Sequence, residues 1–372
     1  MSFFPASTPH YLIWRNCLAS ILMSVIMAGC SVFQTPSQTD GEMMVEKTEQ
    51  APLGTRRFVL LEGQDVVGEL QTVKAKSEDT FVDIARAYGL GFDELVAANP
   101  AVDPWLPKDG ETIVLPTRFV LPEAPREGIV LNIAAKRLFH YRNSDNSDQV
   151  VVETYPIGIG RSGWATPTGD TKVVSKARDP VWFVPASVRK EHLEAGDPLP
   201  RQVPPGPDNP LGAYVLGLGI PGYLIHGTNK PAGVGMRISH GCVRLFPEDI
   251  EYLYEQVGIG VRVRIVNQPF LFGWQDRDLV LEAHAPLQED DRDWYGNVLL
   301  HARSSLVTYA GDGKQLDEAR VLKIAEDQRG FPVSVFTGRP DTESAVRNAR
   351  PVFNVVASDG VVERIADDNI NR

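Results

Sequence analysis

Cysteine, positive net charge and long hydrophobic runs are all scarce in this sequence. Three cysteines in 372 residues exclude a disulfide-rich scaffold of the kind found in small secreted proteins. The formal net charge of −11 leaves no basic surface that would neutralise phosphates, which argues against a nucleic-acid-binding protein. The apolar run from Cys17 to Ala28 is too short to span a bilayer as a helix of the mature protein.

The first thirty residues have the features of a leader peptide. Arg15 is their only charge, and the apolar run ends at Met27-Ala28-Gly29-Cys30. This ending resembles a bacterial lipoprotein signal, in which small residues precede a cysteine that receives lipid. The resemblance implies a signal peptide at residues 1–30, lipidation of Cys30, and a periplasmic protein of a Gram-negative bacterium anchored to the outer membrane. A plain secretory signal or a short membrane anchor is the alternative, and either would also export the chain.

The length of the chain predicts two or three folded domains behind this leader. Residues 31–55 are polar and lack apolar periodicity, which predicts a flexible tether. The apolar stretches Phe58 to Leu61 and Val66-Val67 predict a strand that leads into the first domain.

Residues 73–117 have the pattern strand–helix–helix–strand. Ser77 to Thr80 is a helix start with an acidic first turn, and the helix after it places Phe81, Ile84 and Tyr88 on one face. A second helix is predicted over Phe92 to Ala98 and a closing strand over Thr112 to Leu115. This unit resembles a LysM module, which implies binding of glycans that contain N-acetylglucosamine. The alternative is that the unit only positions the domain that follows.

Closely spaced strands with glycine and proline turns begin at Gly128. They predict a mostly antiparallel sheet or a sandwich. The apolar runs that carry this prediction are Ile129 to Ile133, Arg137 to Tyr141, Val150 to Ile157, Thr171 to Val174, Ala213 to Leu216, Tyr223 to Ile225 and Val261 to Ile265. The proline-rich stretch Pro198 to Pro210 is not expected to form regular structure, and a loop of this length predicts a functional element such as a lid.

Two short motifs bring a thiol and histidines together. The first is His226-Gly227-Thr228 after a predicted strand, and the second is Ser239-His240-Gly241-Cys242 before a predicted helix that starts at Pro247. With Cys17 in the leader and Cys30 in the lipid signal, Cys242 is expected to be the free thiol of the mature chain. A thiol on a rigid turn next to imidazoles predicts a cysteine nucleophile. A buried inert cysteine and a zinc site are the alternatives.

Residues 128–267 resemble the YkuD-type catalytic domain of bacterial L,D-transpeptidases. The resemblance is carried by Pro156-Ile157-Gly158, Thr166-Pro167-Thr168-Gly169, Ile225-His226-Gly227-Thr228 and Ser239-His240-Gly241-Cys242-Val243-Arg244-Leu245. Together with the LysM-like unit, it points to the enteric periplasmic subgroup. The family resemblance implies a fold in which a small βααβ module is followed by a mostly β catalytic domain.

The expected site follows from these motifs. Cys242 is the predicted nucleophile, and an imidazole that takes its proton would leave an ion pair favouring the thiolate. His226 matches the base of the family, with the carbonyl of Gly227 as its orienter, and His240 is expected behind it or near the acceptor. Ser239 is expected to hydrogen-bond within this network.

Further residues are expected to contact the substrate. The N–H groups of Gly241 and Cys242 would stabilise the oxyanion. Arg244 offers a bidentate fork for a carboxylate, and Gly227 and Thr228 are further substrate-binding candidates.

The implied reaction is acyl transfer on peptidoglycan tetrapeptide stems through a thioester, with release of D-alanine. The acceptor is a second stem amine, giving a 3–3 cross-link, or the terminal lysine of a Braun-type murein lipoprotein. Water as acceptor would make an L,D-carboxypeptidase, and a non-catalytic glycan-binding envelope lipoprotein is the alternative of a different class. No cofactor and no metal are expected. The partners are peptidoglycan peptides, glycan strands and the membrane, without nucleic acid.

Residues 268–372 predict a small αβ extension. Its pattern favours strands at 279–284, 297–300, 305–310, 332–336 and 352–356, and a helix over 315–329. No catalytic grouping is evident in it. The extension is expected either to pack on the catalytic domain or to contact a partner.

Overall fold

The computed structural model describes residues 56–144, 149–307 and 315–356. The predicted signal peptide, the whole of the predicted tether at residues 31–55, and Cys30 lie outside the described residues. None of the helices within these ranges is long and apolar enough to span a membrane.

The helices and strands are numbered in chain order. The first part of the described chain contains β1 Arg56–Val59, β2 Val66–Gly68, β3 Gln71–Lys74, α1 Phe81–Ala87, α2 Phe92–Ala98, β4 Thr112–Leu115 and β5 Arg118–Val120. The middle part contains β6 Gly128–Asn132, β7 Arg137–Asn143, β8 Val150–Pro156, β9 Ile159–Gly160, β10 Gly169–Arg178, β11 Trp182–Phe183, α3 Ala186–Glu194, β12 Gln202–Val203, β13 Tyr214–Leu218, β14 Leu224–His226, β15 Arg237–Ser239, β16 Val243–Arg244, α4 Pro247–Gln256 and β17 Arg262–Val266. The last part contains β18 Phe270–Gln275, β19 Asp278–Ala283, α5 Trp294–Val307, α6 Glu318–Asp327, β20 Val333–Ser334, α7 Thr342–Arg347 and β21 Arg350–Val352.

The strand–helix–helix–strand order predicted for residues 73–117 is present as β3-α1-α2-β4, with β3 and β4 antiparallel. We call these four elements the βααβ unit. Thr80 and Asp83 form a reciprocal capping box at the start of α1, which satisfies N–H groups that the helix leaves unpaired. Asn99 follows α2 and its buried amide donates to the carbonyls of Leu95 and Val114, both at 2.8 Å. The turn chemistry of the sequence therefore fixes both helices.

A nine-stranded sheet forms the middle of the molecule, in the order β1-β8-β7-β6-β17-β10-β13-β14-β16. Its neighbours are antiparallel except for the parallel pairs β6–β17 and β14–β16. The runs Ile129 to Ile133 and Arg137 to Tyr141, predicted as strands, form the antiparallel hairpin β6–β7. The apolar stretches predicted to lead into the first domain form two short strands, β1 and β2, and β1 pairs with β8 at the edge of this sheet.

Strands β6 to β8 are buried on both faces, which explains their continuous apolar runs. Val130 and Phe139 pack into a core shared with α1 and α2. Ile129 and Leu131 point the other way, into a second core that contains Ile250 of α4. Because side chains alternate across a strand, one stretch of sequence supplies both cores. The sheet therefore lies between the βααβ unit on one face and the helix α4 on the other.

A buried ion pair joins the βααβ unit to this sheet. Arg137 of β7 makes two hydrogen bonds to the carboxylate of Glu94 in α2, at 2.8 and 2.7 Å. The Arg137 guanidinium also donates to the carbonyl of Gly89 and to the hydroxyl of Thr154, and it lies over the ring of Phe119. Both charged side chains are almost fully buried, so the pair ties the βααβ unit to the sheet in one register.

The C-terminal extension packs mainly on the βααβ unit. Leu70, Ala98 and Val114 share a core with side chains of β19, α5 and α6, and β21 pairs in parallel with β3. The expectation that the extension lies on the catalytic domain or on a partner therefore missed its main contact.

The strands predicted at 297–300 and 305–310 were wrong. Residues 294–307 form α5, and 308–310 lie outside the described residues. Val298 and Ala302 are buried and stand four residues apart, which is the helical spacing that the sequence reading overlooked. The predicted helix at 315–329 contains α6, and the predicted strand at 332–336 contains β20. The strand predicted at 352–356 ends at Val352 in the structure.

Candidate active site

Two parallel strands place the cysteine motif beside the histidine motif. His226 of β14 is the register partner of Arg244 in β16, and Ile225 is the partner of Val243. Cys242 directly precedes β16, so it lies next to the start of β14. Its sulfur is 3.6 Å from the carbonyl oxygen of Gly222, and the side chain is half-buried. A short connection from β15 thus delivers the thiol to the start of β16, the strand that pairs with β14 and its last residue, His226.

The loop that carries the thiol is held by its own serine. The hydroxyl of Ser239 donates to the carbonyl of Cys242 at 2.6 Å and accepts from the N–H of Gly241 at 3.2 Å. Gly241 has a φ of +104°, and a Cβ there would meet the ring of Tyr223 at 3.0 Å. Glycine is therefore required in this loop. Because the Gly241 N–H is already engaged, the Cys242 N–H is the stronger candidate for the oxyanion.

Thr166 clamps the same loop from the opposite side. Its buried hydroxyl donates to the carbonyl of Gly241 at 2.9 Å and accepts from the N–H of Gly160 at 3.0 Å. Gly160 belongs to β9, which pairs with β15. Thr166, the first residue of the Thr-Pro-Thr-Gly motif, therefore fixes the backbone of the cysteine loop against β9.

His226 is buried and its ring is oriented by backbone. Its Nδ1 lies 2.6 Å from the carbonyl oxygen of Gly227, as the sequence suggested. Burial lowers the pKa of His226 to about 4, and the charge of Arg244 acts in the same direction; hydrogen bonds to the carbonyls of Gly227 and Leu211 oppose them. The ring is thus neutral at pH 7 in the resting enzyme.

The resting thiol is also neutral. Burial raises the pKa of Cys242 above its ordinary value, although a backbone hydrogen bond from Leu224 and the charge of Arg244 lower it. In the described part of the chain, no hydrogen bond joins the Cys242 sulfur to the ring of His226. The thiolate–imidazolium ion pair expected from the sequence is therefore disfavoured in this state, because both charged forms would be desolvated.

His240 faces away from β14 and into a cluster of polar and aromatic side chains. Its Nε2 lies 3.4 Å from a carboxylate oxygen of Glu191 and 3.3 Å from a guanidinium nitrogen of Arg161. The edge of the ring packs against Trp164 in a T-shaped arrangement, with centroids 4.9 Å apart. Burial lowers the pKa of His240, and Arg161 and His192 act in the same direction against the carboxylate of Glu191.

Arg244 and Thr228 flank the two histidine positions. The Nε of Arg244 is buried and has no hydrogen-bond partner among the described residues, so its donor capacity is unused in this structure. Burial lowers the pKa of Arg244, which would be offset by an anion. Thr228 is buried, and its hydroxyl accepts from the N–H of Lys230 at 2.9 Å. Thr228 therefore shapes the turn after His226.

Residues 179–213, here called the lid, leave the nine-stranded sheet and return to it at the same place. Arg178 and Tyr214 are register partners, and the N–H of Asp179 donates to the carbonyl of Ala213 at 2.7 Å. The lid contains α3 and the short antiparallel pair β11–β12. The proline-rich stretch, expected to be irregular throughout, includes the two-residue strand β12 but is otherwise without helix or longer strand.

The chain matches the family model for the YkuD L,D-transpeptidase catalytic domain over residues 126–265. It is 39% identical over 285 residues to "Probable L,D-transpeptidase ErfK/SrfK" of Salmonella typhimurium, a match that covers 75% of this chain and 90% of that protein. It is 37% identical over 278 residues to "Probable L,D-transpeptidase YbiS" of Escherichia coli, covering 73% and 89%. The chain belongs to the L,D-transpeptidase family.

Sequence motifs alone did not reveal every residue around this L,D-transpeptidase site. Thr166 was recognised only as part of a matching motif, and Arg161, Trp164 and Glu191 were not selected. Arg161 and Glu191 carry no motif of their own, and their proximity to His240 depends on where the lid and the β9 loop fold back. Within the described ranges, no group of three or more histidine, cysteine or acidic side chains is arranged to hold a metal ion.

Proposed function

We propose that this enzyme is an L,D-transpeptidase that acts on peptidoglycan tetrapeptide stems with Cys242 as its nucleophile. The observation that carries the proposal is a half-buried thiol on a rigid loop at the start of β16, the strand paired with β14, which carries the buried and backbone-oriented ring of His226. The likeness to enteric L,D-transpeptidases over most of their length supports the same reaction class.

In the first half of the reaction, Cys242 attacks the carbonyl between the third stem residue and the terminal D-alanine. His226 takes the thiol proton on Nε2 and passes it to the leaving amine, so that D-alanine departs and a thioester remains. The carbonyl of Gly227 can only accept a hydrogen bond, so it holds the proton on Nδ1 and leaves Nε2 as the acceptor. Among the described residues, Cys242 and His226 share no hydrogen bond. This is consistent with the role of His226 as base, because catalytic hydrogen bonds often tighten only in the substrate complex.

The charged groups around the thiol suit an anionic substrate. We assign the oxyanion contact to the Cys242 N–H, with the Gly241 N–H as a second donor if the Ser239 hydroxyl rotates. A good donor of this type contributes about 3–4 kcal/mol to transition-state stabilisation. Arg244 would bind a carboxylate of the stem through its unpaired Nε. His240 lies on the far side of the loop, where it would border the acceptor.

In the second half, an amine attacks the thioester and the thiol is regenerated. A second stem amine gives a 3–3 cross-link, the terminal lysine of a murein lipoprotein gives an anchored lipoprotein, and water gives carboxypeptidase activity. The experiment is to incubate the purified protein with tetrapeptide muropeptides and to measure the products by mass spectrometry. We expect loss of D-alanine together with dimers, and none of either with Cys242→Ala. Binding of muropeptides without new masses would instead support a non-catalytic envelope protein.

We also propose that the βααβ unit at residues 73–117 is a LysM module that binds glycan strands. Trp105 and Leu106, in the loop between α2 and β4, expose 56% and 73% of their surface. An exposed aromatic ring offers an apolar face against which a sugar ring can stack. Trp105→Ala should weaken binding to N-acetylglucosamine oligomers, whereas Leu61→Ala, also exposed but outside the unit, should not. Equal affinity of both variants would leave the unit with a purely positioning role.

We propose an envelope location with a lipid on Cys30. The support is the leader sequence and its small residues before Cys30, together with relatives from enteric bacteria. Metabolic labelling with palmitate in a Gram-negative host should mark the wild type and not Cys30→Ser. Export without label would indicate a plain secretory signal instead, and fractionation of the membranes would test the outer-membrane assignment.

A further inference from the structure

The lid contacts both histidines of the site, each through a different limb. On its return limb, the buried amide of Asn209 donates to the carbonyl of Pro180 at 2.8 Å, and its Oδ1 accepts from the N–H of Leu211 at 2.9 Å. The backbone of Leu211 in turn lies close enough to the ring of His226 to raise its pKa against the effect of burial. This limb is therefore anchored at its base and belongs to the fixed part of the site.

The outer limb is α3, and its contact with the site is made by Glu191. One carboxylate oxygen accepts a hydrogen bond from Arg161, and the other lies 3.4 Å from Nε2 of His240. Arg161 is itself fixed to the cysteine loop, because its N–H donates to the carbonyl of Ser239 at 3.0 Å. Glu191 thus joins the lid helix to two side chains that belong to the frame of the thiol.

The contact is partly open to solvent. The side chains of Arg161 and Glu191 are each 38% exposed, and that of His240 is 30% exposed. Partial desolvation raises the pKa of Glu191, but the hydrogen bond and charge of Arg161 and the charge of His240 outweigh this effect. The pKa of Glu191 is therefore below its ordinary value, and the carboxylate is ionised at pH 7. Exposed ion pairs are weak, so this contact can break and re-form each time a peptide enters.

The composition of α3 points to the same role. Val188 is its one buried apolar residue in the described helix, while Leu193 is 66% exposed, so the helix has little apolar contact to hold it down. His192 lies next to Glu191, and its ring is 6.1 Å from that of His240. A helix with one buried apolar side chain needs a polar contact to define its closed position.

We propose that Glu191 is a positioning residue that latches α3 onto the cysteine loop while the thioester exists, so that an amine rather than water reaches the acyl group. The inference rests on the proposed role of Cys242 as nucleophile. With the latch open, water would add to the thioester carbonyl, the carbon–sulfur bond would break, and the products would be a stem tripeptide carboxylate and the free thiol. With the latch closed, the same carbonyl would form an amide with the acceptor.

The first test compares products from tetrapeptide muropeptides for the wild type, Glu191→Ala, Glu191→Gln and the control Glu194→Ala. Glu194 is an exposed residue of the same helix whose one ion pair is a distant one with Lys190. We expect Glu191→Ala to raise the ratio of tripeptide to dimer by about two- to five-fold, in keeping with the loss of one partly exposed ion pair. The rate of D-alanine release at saturating donor should stay close to that of the wild type, so that the change lies in the partition.

Glu191→Gln keeps an oxygen that accepts from Arg161, and it should recover part of the wild-type partition. An unchanged ratio in Glu191→Ala, an equal change in Glu194→Ala, or a glutamine variant as defective as the alanine variant would each overturn the latch. If the wild type released no D-alanine, the proposed reaction rather than the latch would be at fault.

A second test does not depend on turnover. Alkylation of Cys242 by a bulky maleimide should be about two- to five-fold faster in Glu191→Ala than in the wild type, because α3 is no longer held on Arg161 and His240 at the cysteine loop. Alkylation by the small reagent iodoacetamide should change less, and Glu194→Ala should match the wild type with both reagents. Equal acceleration by the two reagents would indicate a change in the thiol itself and would contradict the latch.

Discussion

The Nδ1 atom of His226 lies 2.6 Å from the carbonyl oxygen of Gly227, the next residue in the chain. A carbonyl accepts but never donates, so this contact places the ring proton on Nδ1 and leaves Nε2 unprotonated. The Gly227 carbonyl therefore favours the tautomer in which Nε2 of the proposed base is the acceptor. The neutral ring and the neutral thiol together describe an enzyme that moves the proton during attack on the substrate, without a preformed ion pair.

The alkylation rate of Cys242 should follow from this neutral resting state. Burial raises the pKa of the thiol, so in the absence of substrate the rate with iodoacetamide should rise about tenfold per pH unit from pH 6 to beyond pH 8. The measurement is the mass of the alkylated protein against time, with Cys242→Ala as the unlabelled control. A rate that is already at its plateau at pH 6 would show a preformed thiolate and would contradict the neutral pair.

Stability should depend on pH through the buried ring of His226. Its pKa falls from 6.5 to about 4 on folding, so the unfolded chain binds the proton more strongly between these values. Stability from this group is complete above pH 6.5 and declines as pH falls to about 4, by a total of about 3 kcal/mol. Urea denaturation at pH 7 and pH 4.5 measures the loss.

The matched variant for this measurement is His226→Gln, which has no titrating ring. The difference in unfolding free energy between the two pH values should be smaller in this variant than in the wild type. A difference of the same size in both proteins would assign the acid sensitivity to other groups.

Replacing Thr166 by valine should loosen the cysteine loop. The change removes a buried hydroxyl that bonds both Gly241 and Gly160, and leaves those backbone groups unsatisfied, at a cost of about 1–3 kcal/mol. We expect slower D-alanine release together with a lower midpoint of thermal unfolding. Thr168→Val is the control, because Thr168 is exposed in the same motif. Equal behaviour of the two variants would show that the Thr166 clamp has no special role.

Removing one partner of the buried ion pair should be costly. Arg137→Met leaves the Glu94 carboxylate buried without its cation and should lower the unfolding free energy by about 3–5 kcal/mol. Arg137→Met combined with Glu94→Leu should recover much of this loss, because two apolar side chains can fill the same space. Urea denaturation of the three proteins tests the pair. A double variant as unstable as the single one would mean that packing on Phe119, rather than charge, carries the effect.

The motifs predicted the chemistry better than they predicted the contacts between distant parts of the chain. The capping residues around Thr80, the alternation in β6 and β7 and the helix after Pro247 are local features, so the sequence reveals them directly. The placement of β1 in the large sheet and of β21 beside β3 depends on pairing between strands far apart in sequence. Local patterns do not contain that information.

The same limit applies within the site. The sequence predicted Cys242, His226 and the Gly227 carbonyl as site groups because these lie in short motifs, and the structure places that carbonyl against the ring of His226. It did not identify Glu191, because the contact of this residue with His240 depends on how the lid folds back onto the site. The motifs also implied an ionised thiol. They could not show the desolvation that raises the pKa of Cys242, because this arises only when the surrounding strands pack around the thiol.

The pairing of β21 with β3 has a consequence for biogenesis. Gln71 is the register partner of Arg350, so the three-stranded sheet β21-β3-β4 cannot be complete until residues 350–352 have been synthesised. Trimming the chain before Arg350 would expose the bare edge of β3 to pairing with other molecules.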